Sequence, residues 1–475
     1  MGDPKGFIKI KRKEAGYRPV EERIKDFSEV EQVLNEEDRL LQASRCMDCG
    51  VPFCHWACPT DSRIPEWQDA FYRKDFQSAI RLLQYTNDLP EITGRICPAL
   101  CEKSCVLNIY EEPVTIRENE VALAEKAFKL GLIQPKPPKK RTGKKVAVIG
   151  SGPAGLTLAS RLNRLGHKVT VFEKDEEPGG LLRFGIPDFK LNKSVIDRRI
   201  NLYKEEGIRF KTKTQVGHDY PVEKLMQEFD AVCVAIGAGQ PRDIQVPGRE
   251  AQGVYFALEF LTQQNRVVAG KHISKKDRIS AKNKEVIVIG GGDTGSDCVG
   301  TSIRQGAKSV KQIEILPMPP KKRSDDNPWP YWPNVLRISS SHEEGVERIW
   351  STATVRFITE DGKVTGIETV KVEWEQDANG KYQMKELPDT KQILKADLVL
   401  LALGFTQPVH EGLLNSLGVE YDDRGNVKTR NGATSKTGVF AVGDASTGAS
   451  LVVKAIKSAQ ESVEAVHYFL MKKEA

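Results

Sequence analysis

From the N-terminus to about residue 135 the apolar positions recur at helical spacing. Glu29–Cys46 and Pro65–Gln84 both carry that spacing, and neither shows the alternation of a half-buried strand. The pattern changes after Pro135–Lys145 (PKPPKKRTGKK), a stiff charged stretch that places a boundary near residue 140. Lys145–Ile149 (KVAVI) is a short apolar run closed by glycine, LTLASRLNRLG follows with helical spacing, and KVTVFE returns to strand. Strand, helix and strand in quick succession form the unit of a parallel sheet. The unit recurs as EVIVI (Glu285–Ile289), a glycine turn, a helix and KQIEIL. Asp230–Gly239 and Asp397–Phe405 read as buried strands ending in glycine, and Leu451–Val466 reads as a helix. The prediction is an α/β protein with an N-terminal helical domain and two Rossmann-like nucleotide-binding domains.

Composition narrows the class without naming a chemistry. A chain of 475 residues has room for two to four domains, and 39% hydrophobic with 29% charged residues is ordinary for a soluble protein. No apolar run of about 18 residues predicts a transmembrane helix, and MGDPKGFIKIKRKEAG does not read as a signal peptide. The net charge of +6 is modest, with basic residues mostly interleaved with acidic ones. The basic run Lys136–Lys145 reads as an exposed linker ahead of a nucleic-acid site. The expectation is a cytoplasmic protein with neither nucleic acid nor membrane as partner.

The cysteines say more. Seven of nine fall between Cys46 and Cys105, while Cys233 and Cys298 sit in apolar surroundings. Without a secretion signal, such clustering points to a metal site over a disulfide framework. Cys46, Cys49, Cys54 and Cys58 follow C-x2-C-x4-C-x3-C with Pro59 next, and Cys97, Cys101 and Cys105 follow C-x3-C-x3-C. Closely spaced thiolates suit a soft metal centre. Zinc sites more often use paired C-x2-C, whereas a cysteine before proline is a ferredoxin feature, where it serves the other cluster. Two 4Fe–4S clusters normally need about eight ligands. The eighth could be a carboxylate, an imidazole or a water, and Glu120 is the candidate. His55, between two of the cysteines, reads as a packing residue before a tuning one.

Two glycine turns carry the dinucleotide chemistry. Gly150-Ser151-Gly152-Pro153-Ala154-Gly155 lies between a strand and a helix, with Glu173 at the end of the next strand. The first glycine permits the tight turn, the second lets backbone approach a pyrophosphate, and the third brings helix and strand together. Helix N-terminal amides then face the anion, and Glu173 would serve an adenosine ribose. Gly290-Gly291-Gly292-Asp293-Thr294-Gly295 repeats the arrangement. Here the position matching Glu173 is expected at Pro317, with Glu314 nearby and Lys321, Lys322 and Arg323 following. A missing acid beside cations suits a 2′-phosphate, hence NADPH over NADH. A third segment, Gly438–Ser446, ends in Gly443-Asp444, where an acid can hold a sugar or ribityl hydroxyl, and the helix after it could face a flavin.

Together these motifs resemble the small (β) subunit of glutamate synthase over nearly the whole chain. The resemblance rests on the cysteine array, GSGPAGL (Gly150–Leu156), EKDEEPGGLLRFGIPDFKL (Glu173–Leu191), GGGDTGSD (Gly290–Asp297), NPWPYWP (Asn327–Pro333) and AVGDAS (Ala441–Ser446). The same module resembles the N-terminal half of dihydropyrimidine dehydrogenase. The likeness implies that Cys46, Cys49, Cys54 and Cys105 hold one cluster and that Cys58, Cys97 and Cys101 hold the other. The eighth ligand in that relative is a glutamine, and Glu120 stands at the aligned position. It also implies a helical cluster domain over 1–144, an FAD fold from 145–268 and 408–475, and an NADPH domain inserted over 269–407. Gly180 and Leu181 join the flavin site by the same likeness, while Lys322 and Arg323 belong to the NADPH site as the cations that follow its second strand. The activity implied is oxidation of NADPH (or NADH) through FAD and two clusters, with no side-chain acid or base doing the chemistry. The electrons pass to a large (α) subunit that makes L-glutamate from 2-oxoglutarate and glutamine, in a hetero-oligomer. The alternative is an electron-transfer subunit of another ferredoxin- or flavin-coupled oxidoreductase.

Overall fold

The computed structural model describes residues 2–377 and 380–472. The N-terminal third is helical. Its main helices are Glu36–Ser44, Ile64–Tyr72, Phe76–Thr86, Pro90–Ile96 and Ile116–Lys129, packed around buried Trp67, Leu83, Ile92 and Leu123. Two sequence expectations are redrawn here. Residues 29–35 are extended, because the Val30 amide bonds to Phe189 O at 3.0 Å and its carbonyl accepts from the Arg18 amide at 2.9 Å. The helix begins only after Asn35, whose side chain caps the Asp38 amide at 2.8 Å. The expected helix over 65–84 is two helices, broken at Lys74 (φ +62°) and restarted by Asp75, which caps Ser78 at 3.0 Å.

Two five-stranded parallel sheets follow. The first has the order 439–441, 231–234, 145–149, 168–172, 209–211. The second has the order 254–256, 398–401, 285–289, 309–313, 347–349. All ten are short, and the central ones are buried at nearly every position, as strands covered on both faces must be. The chain leaves the first sheet at Gln240–Pro241 and returns at Phe405–Gln407, and these two crossings pair antiparallel. The strand 254–256 thus already belongs to the second sheet, ahead of the expected junction at 268. A three-stranded antiparallel sheet (352–360, 363–376, 382–395) sits on the second unit and was not foreseen.

The charged stretch before the first strand is pinned, not free. Arg141 donates to Asn163 Oδ1 at 2.7 Å, His167 O at 2.8 Å and Glu206 O at 3.2 Å. The helical domain is fastened to the first sheet's unit by a buried bidentate pair. Arg199 Nε lies 2.6 Å from Glu91 Oε1 and Arg199 Nη2 lies 2.7 Å from Oε2, the side chains being 1% and 0% exposed. Among the described residues no helix is long and apolar enough to cross a membrane.

Candidate functional site

At the first glycine turn, the Gly150 amide bonds to Phe172 O at 2.8 Å and its φ is +100°. A Cβ on Gly155 would meet Gly150 O at 2.1 Å, whereas one on Gly152 would meet nothing within 4 Å. The turn is tight on its inner side and open on its outer side, as a pyrophosphate cradle must be. The helix Pro153–Arg164 starts there with no side-chain cap, and proline at its first position withdraws no needed donor. Buried Glu173 accepts from the Ser151 amide at 3.1 Å and the Asp175 amide at 2.9 Å. Gly180 lies against this turn, its Cβ position 3.0 Å from Gly152 Cα, while Leu181 is exposed. Gly443, past the end of the edge strand 439–441, leaves its Cβ position 2.6 Å from Ala154 Cβ. Burial raises the carboxyl of Asp444, opposed by Ser450, whose hydroxyl donates to it at 2.8 Å. The long helix Val452–Met471 opens behind it with no side-chain cap and packs along Pro153–Arg164. These features fit FAD.

The second turn repeats this geometry. The Gly290 amide bonds to Ile313 O at 2.8 Å, a Cβ on Gly295 would meet Gly290 O at 2.3 Å, and Gly292 is open. Asp293 and Thr294 begin the helix Asp293–Arg304, with Asp293 exposed. Because Gly150 pairs with Phe172 and Gly290 with Ile313, the residue matching Glu173 is Glu314, not Pro317. Its Oε2 lies 2.2 Å from where a Gly291 Cβ would stand, and its Oε1 accepts from the Leu316 amide at 3.2 Å. An acid is therefore present at this turn. The apolar Ile315 and Leu316 suggested a longer strand, but both are exposed at its rim. Arg323 is committed elsewhere, donating to Lys103 O at 3.3 Å and Asn327 O at 3.3 Å, while Lys321 and Lys322 are exposed.

The segment Gly179–Leu191 docks the two units on each other. Lys190 lies 2.5 Å from Asp297 on the second turn's helix, and the Phe189 ring lies under Arg304 at 3.9 Å. No sequence pattern marked Lys190 and Asp297 as partners.

The seven clustered thiols divide into two groups. Cys46, Cys49, Cys54 and Cys105 line one wholly apolar cavity closed by Met47, Phe53, Ile64 and Val114. Cys58, Cys97 and Cys101 interact electrostatically with one another and with Glu120. Burial pushes the Cys46 and Cys97 thiols up to about 12, and raises the other five. Thiols held so dry are inert unless a bound metal takes their protons. Among the described residues no three metal-ligating side chains converge as on a single ion; the first four instead ring a space, as a polynuclear cluster requires. Burial lifts the Glu120 carboxyl to about 7, opposed by the Thr93 hydroxyl, which donates at 2.5 Å, and by Arg117.

The two groups face different neighbours. Past Cys58, Asp61 pairs with Lys457 of the C-terminal helix at 2.6 Å, and Gln460 of that helix donates to Thr86 O at 2.8 Å. The loop Asn327–Pro333 of the second unit meets residues beside the other group. There Trp329 meets Phe53 at 4.6 Å between ring centres, Tyr331 meets Trp56 at 6.1 Å, and Ser104 donates to Pro330 O at 2.6 Å.

Comparison with known proteins is consistent with this layout. Residues 144–459 match the family described as pyridine nucleotide-disulphide oxidoreductase, and residues 23–131 match dihydropyrimidine dehydrogenase domain II, 4Fe-4S cluster. The chain is 47% identical to the glutamate synthase (NADPH) small chain of Mycobacterium tuberculosis (strain ATCC 25618 / H37Rv), over 99% of this chain and 96% of that one. It is 42% identical to the protein of the same description from Bacillus subtilis (strain 168), over 99% of each. The Schizosaccharomyces pombe glutamate synthase (NADH) is 44% identical over 96% of this chain, which spans 22% of that longer protein. Among solved structures, Mycobacterium tuberculosis FprA in complex with NADPH shares the fold at a TM-score of 0.56 and 19% identity, covering 69% of this chain and 85% of that one.

Proposed function

The chain belongs to the family of glutamate synthase small chains, and from that premise we propose that it is the electron-input subunit of a glutamate synthase. It is a flavin and iron–sulfur oxidoreductase of the NAD(P)H-dependent kind. Bound FAD would accept hydride from the nicotinamide and release single electrons to iron–sulfur clusters, the cofactors supplying the reactivity.

The chain's own residues hold and order these groups. Gly150–Gly155, Glu173, Gly180, Gly443 and Asp444 form the flavin cradle, and Gly290–Gly295 with Glu314 the nicotinamide-dinucleotide cradle. Lys190 and Asp297 join the two. Cys46, Cys49, Cys54 and Cys105 would hold one cluster; Cys58, Cys97, Cys101 and Glu120 would hold a second. The observation that carries this reading is the pairing of Asp61 with Lys457 at 2.6 Å. It fastens the loop after Cys58 to the helix behind the flavin cradle, which supports a reading with this cluster as the nearer one to the flavin. The other, beside the Asn327–Pro333 loop, lies further along the route. The receiver is a large subunit, in a hetero-oligomer in the cytoplasm; the S. pombe protein, in which a matching segment is part of a longer chain, fits such a pairing.

Anaerobically purified chain should contain one FAD, two 4Fe–4S clusters and acid-labile sulfide, and should reduce ferricyanide with NADPH. It should make glutamate from glutamine and 2-oxoglutarate only when a large subunit is added. Rapid glutamate formation by the chain alone, or stoichiometric zinc without sulfide, would contradict the proposal.

A further inference from the structure

Arg45, directly before Cys46, is a buried cation with an unusual set of partners. It is 2% exposed, and it spends its guanidinium on three main-chain carbonyls: Ile10 O at 3.0 Å, Pro113 O at 2.8 Å and Glu112 O at 2.8 Å. Among the described residues it forms no ion pair. A buried charge without a counter-charge is costly, and proteins normally pair it. The neighbouring, half-buried cation Arg12 is paired: it meets Glu102 at 2.8 Å. The remaining acids of this region, Glu14, Asp48, Glu111 and Glu112, are exposed to solvent and screened, so that Glu112 and Glu111 attract the Arg45 charge only from the surface. The other cysteine group also differs, since its nearby cation Arg117 is matched by Glu31.

The partners of Arg45 lead to one sulfur. Pro113 O, which accepts from both Arg45 and Arg12 at 2.8 Å, belongs to the Pro113–Val114 peptide. The N–H of that same peptide donates to the Cys105 thiol. Two guanidinium donors on the carbonyl polarise the peptide and strengthen donation from its N–H, as in any hydrogen-bond chain. Hydrogen bonds to sulfur and local net charge are what set iron–sulfur potentials.

We infer that Arg45 is a positioning residue that raises the reduction potential of the cluster on Cys46, Cys49, Cys54 and Cys105, through its unpaired charge and through the Pro113–Val114 peptide. The inference rests on the two-cluster reading above. The cluster's thiolates supply the missing counter-charge, and each added electron is drawn toward the guanidinium. The cluster farther from the flavin then becomes the better acceptor, which gives the route a direction.

The test is an anaerobic redox titration of the holoenzyme followed by electron paramagnetic resonance. Arg45→Gln should lower one of the two cluster waves by at least a tenfold change in reduced-to-oxidised ratio at fixed poise, which is 59 mV for a one-electron couple. The other wave should stay in place, and Arg45→Lys, which keeps the charge, should recover at least half of the shift. Should Arg45→Gln fail to assemble its cluster, Arg12→Gln, which removes the second donor on Pro113 O together with the cation paired to Glu102, should lower the same wave by a smaller amount. Two intact clusters with neither wave moved, or both moved equally, would overturn the inference alone. Wild-type protein lacking acid-labile sulfide would overturn the two-cluster reading and the inference with it.

Discussion

Removing the carboxylate of Glu314 should change which nicotinamide dinucleotide the protein uses best. Glu314 stands at the second glycine turn as Glu173 stands at the first, with Oε1 held by the Leu316 amide at 3.2 Å and Oε2 over Gly291. A ribose hydroxyl bonded to Oε2 would lie about 2.7 Å away, and a 2′-phosphate in its place would put further negative charge at about 4 Å. Two unit charges at that distance interact with about 1 kcal/mol in water and about 4 kcal/mol at an effective dielectric of 20. Glu314 is half-buried, so a penalty of about 1.5–2 kcal/mol is reasonable, which is roughly 10–30-fold. Glu314→Gln keeps the size and a hydrogen-bonding oxygen while removing the charge. The ratio of kcat/KM for NADPH to that for NADH should therefore rise by about an order of magnitude. Part of the change comes from weaker NADH use, since a charge-assisted bond to the ribose is lost. Stopped-flow flavin reduction with each nucleotide measures the ratio before any later electron transfer. A ratio unchanged within about twofold, or moved toward NADH, would refute the assignment of Glu314 to the ribose.

Other consequences are more direct. Glu91→Gln leaves Arg199 buried and unpaired and should destabilise the chain by about 3–5 kcal/mol in urea unfolding, whereas Glu91→Leu with Arg199→Met should recover much of that loss. Gly443→Ala places a methyl 2.6 Å from Ala154 Cβ at a φ of +65° and should reduce the FAD content of purified protein, read from the visible spectrum, with iron content unchanged. Burial lowers the His167 pKa to about 4, with His467 adding to the effect. The unfolded chain takes up that proton near pH 6.5, so stability should fall as pH drops from about 6.5 toward 4 and be independent of this group above pH 7. His167→Gln should flatten the urea midpoint in that window; an unchanged slope would show that His167 does not titrate as its burial requires.

The parts of this molecule that were legible in its sequence are those where backbone chemistry restricts residue type. A pyrophosphate turn needs glycine at set intervals, and a strand buried on both faces needs an apolar run, so the sequence marks both Rossmann units. The cysteines were visible for the same reason, since soft ligands have few substitutes. The break at Lys74–Asp75 was not visible, because helical spacing continues across it while a single left-handed residue redirects the chain. The antiparallel sheet over 352–395 was missed because its outermost strand is mostly exposed and carries little alternation. The position matching Glu173 is read at Pro317 instead of Glu314 because Ile315 and Leu316 are apolar, and hydrophobicity at a strand rim says nothing about where the ladder ends. Arg45 shows the deepest limit. An arginine beside a cysteine has no pattern, and its meaning arises only when three carbonyls from distant segments close on it. One of those carbonyls belongs to the peptide that donates to Cys105. Sequence therefore identifies which groups can carry electrons here, while the order in which they carry them depends on charges whose partners are fixed only by the fold.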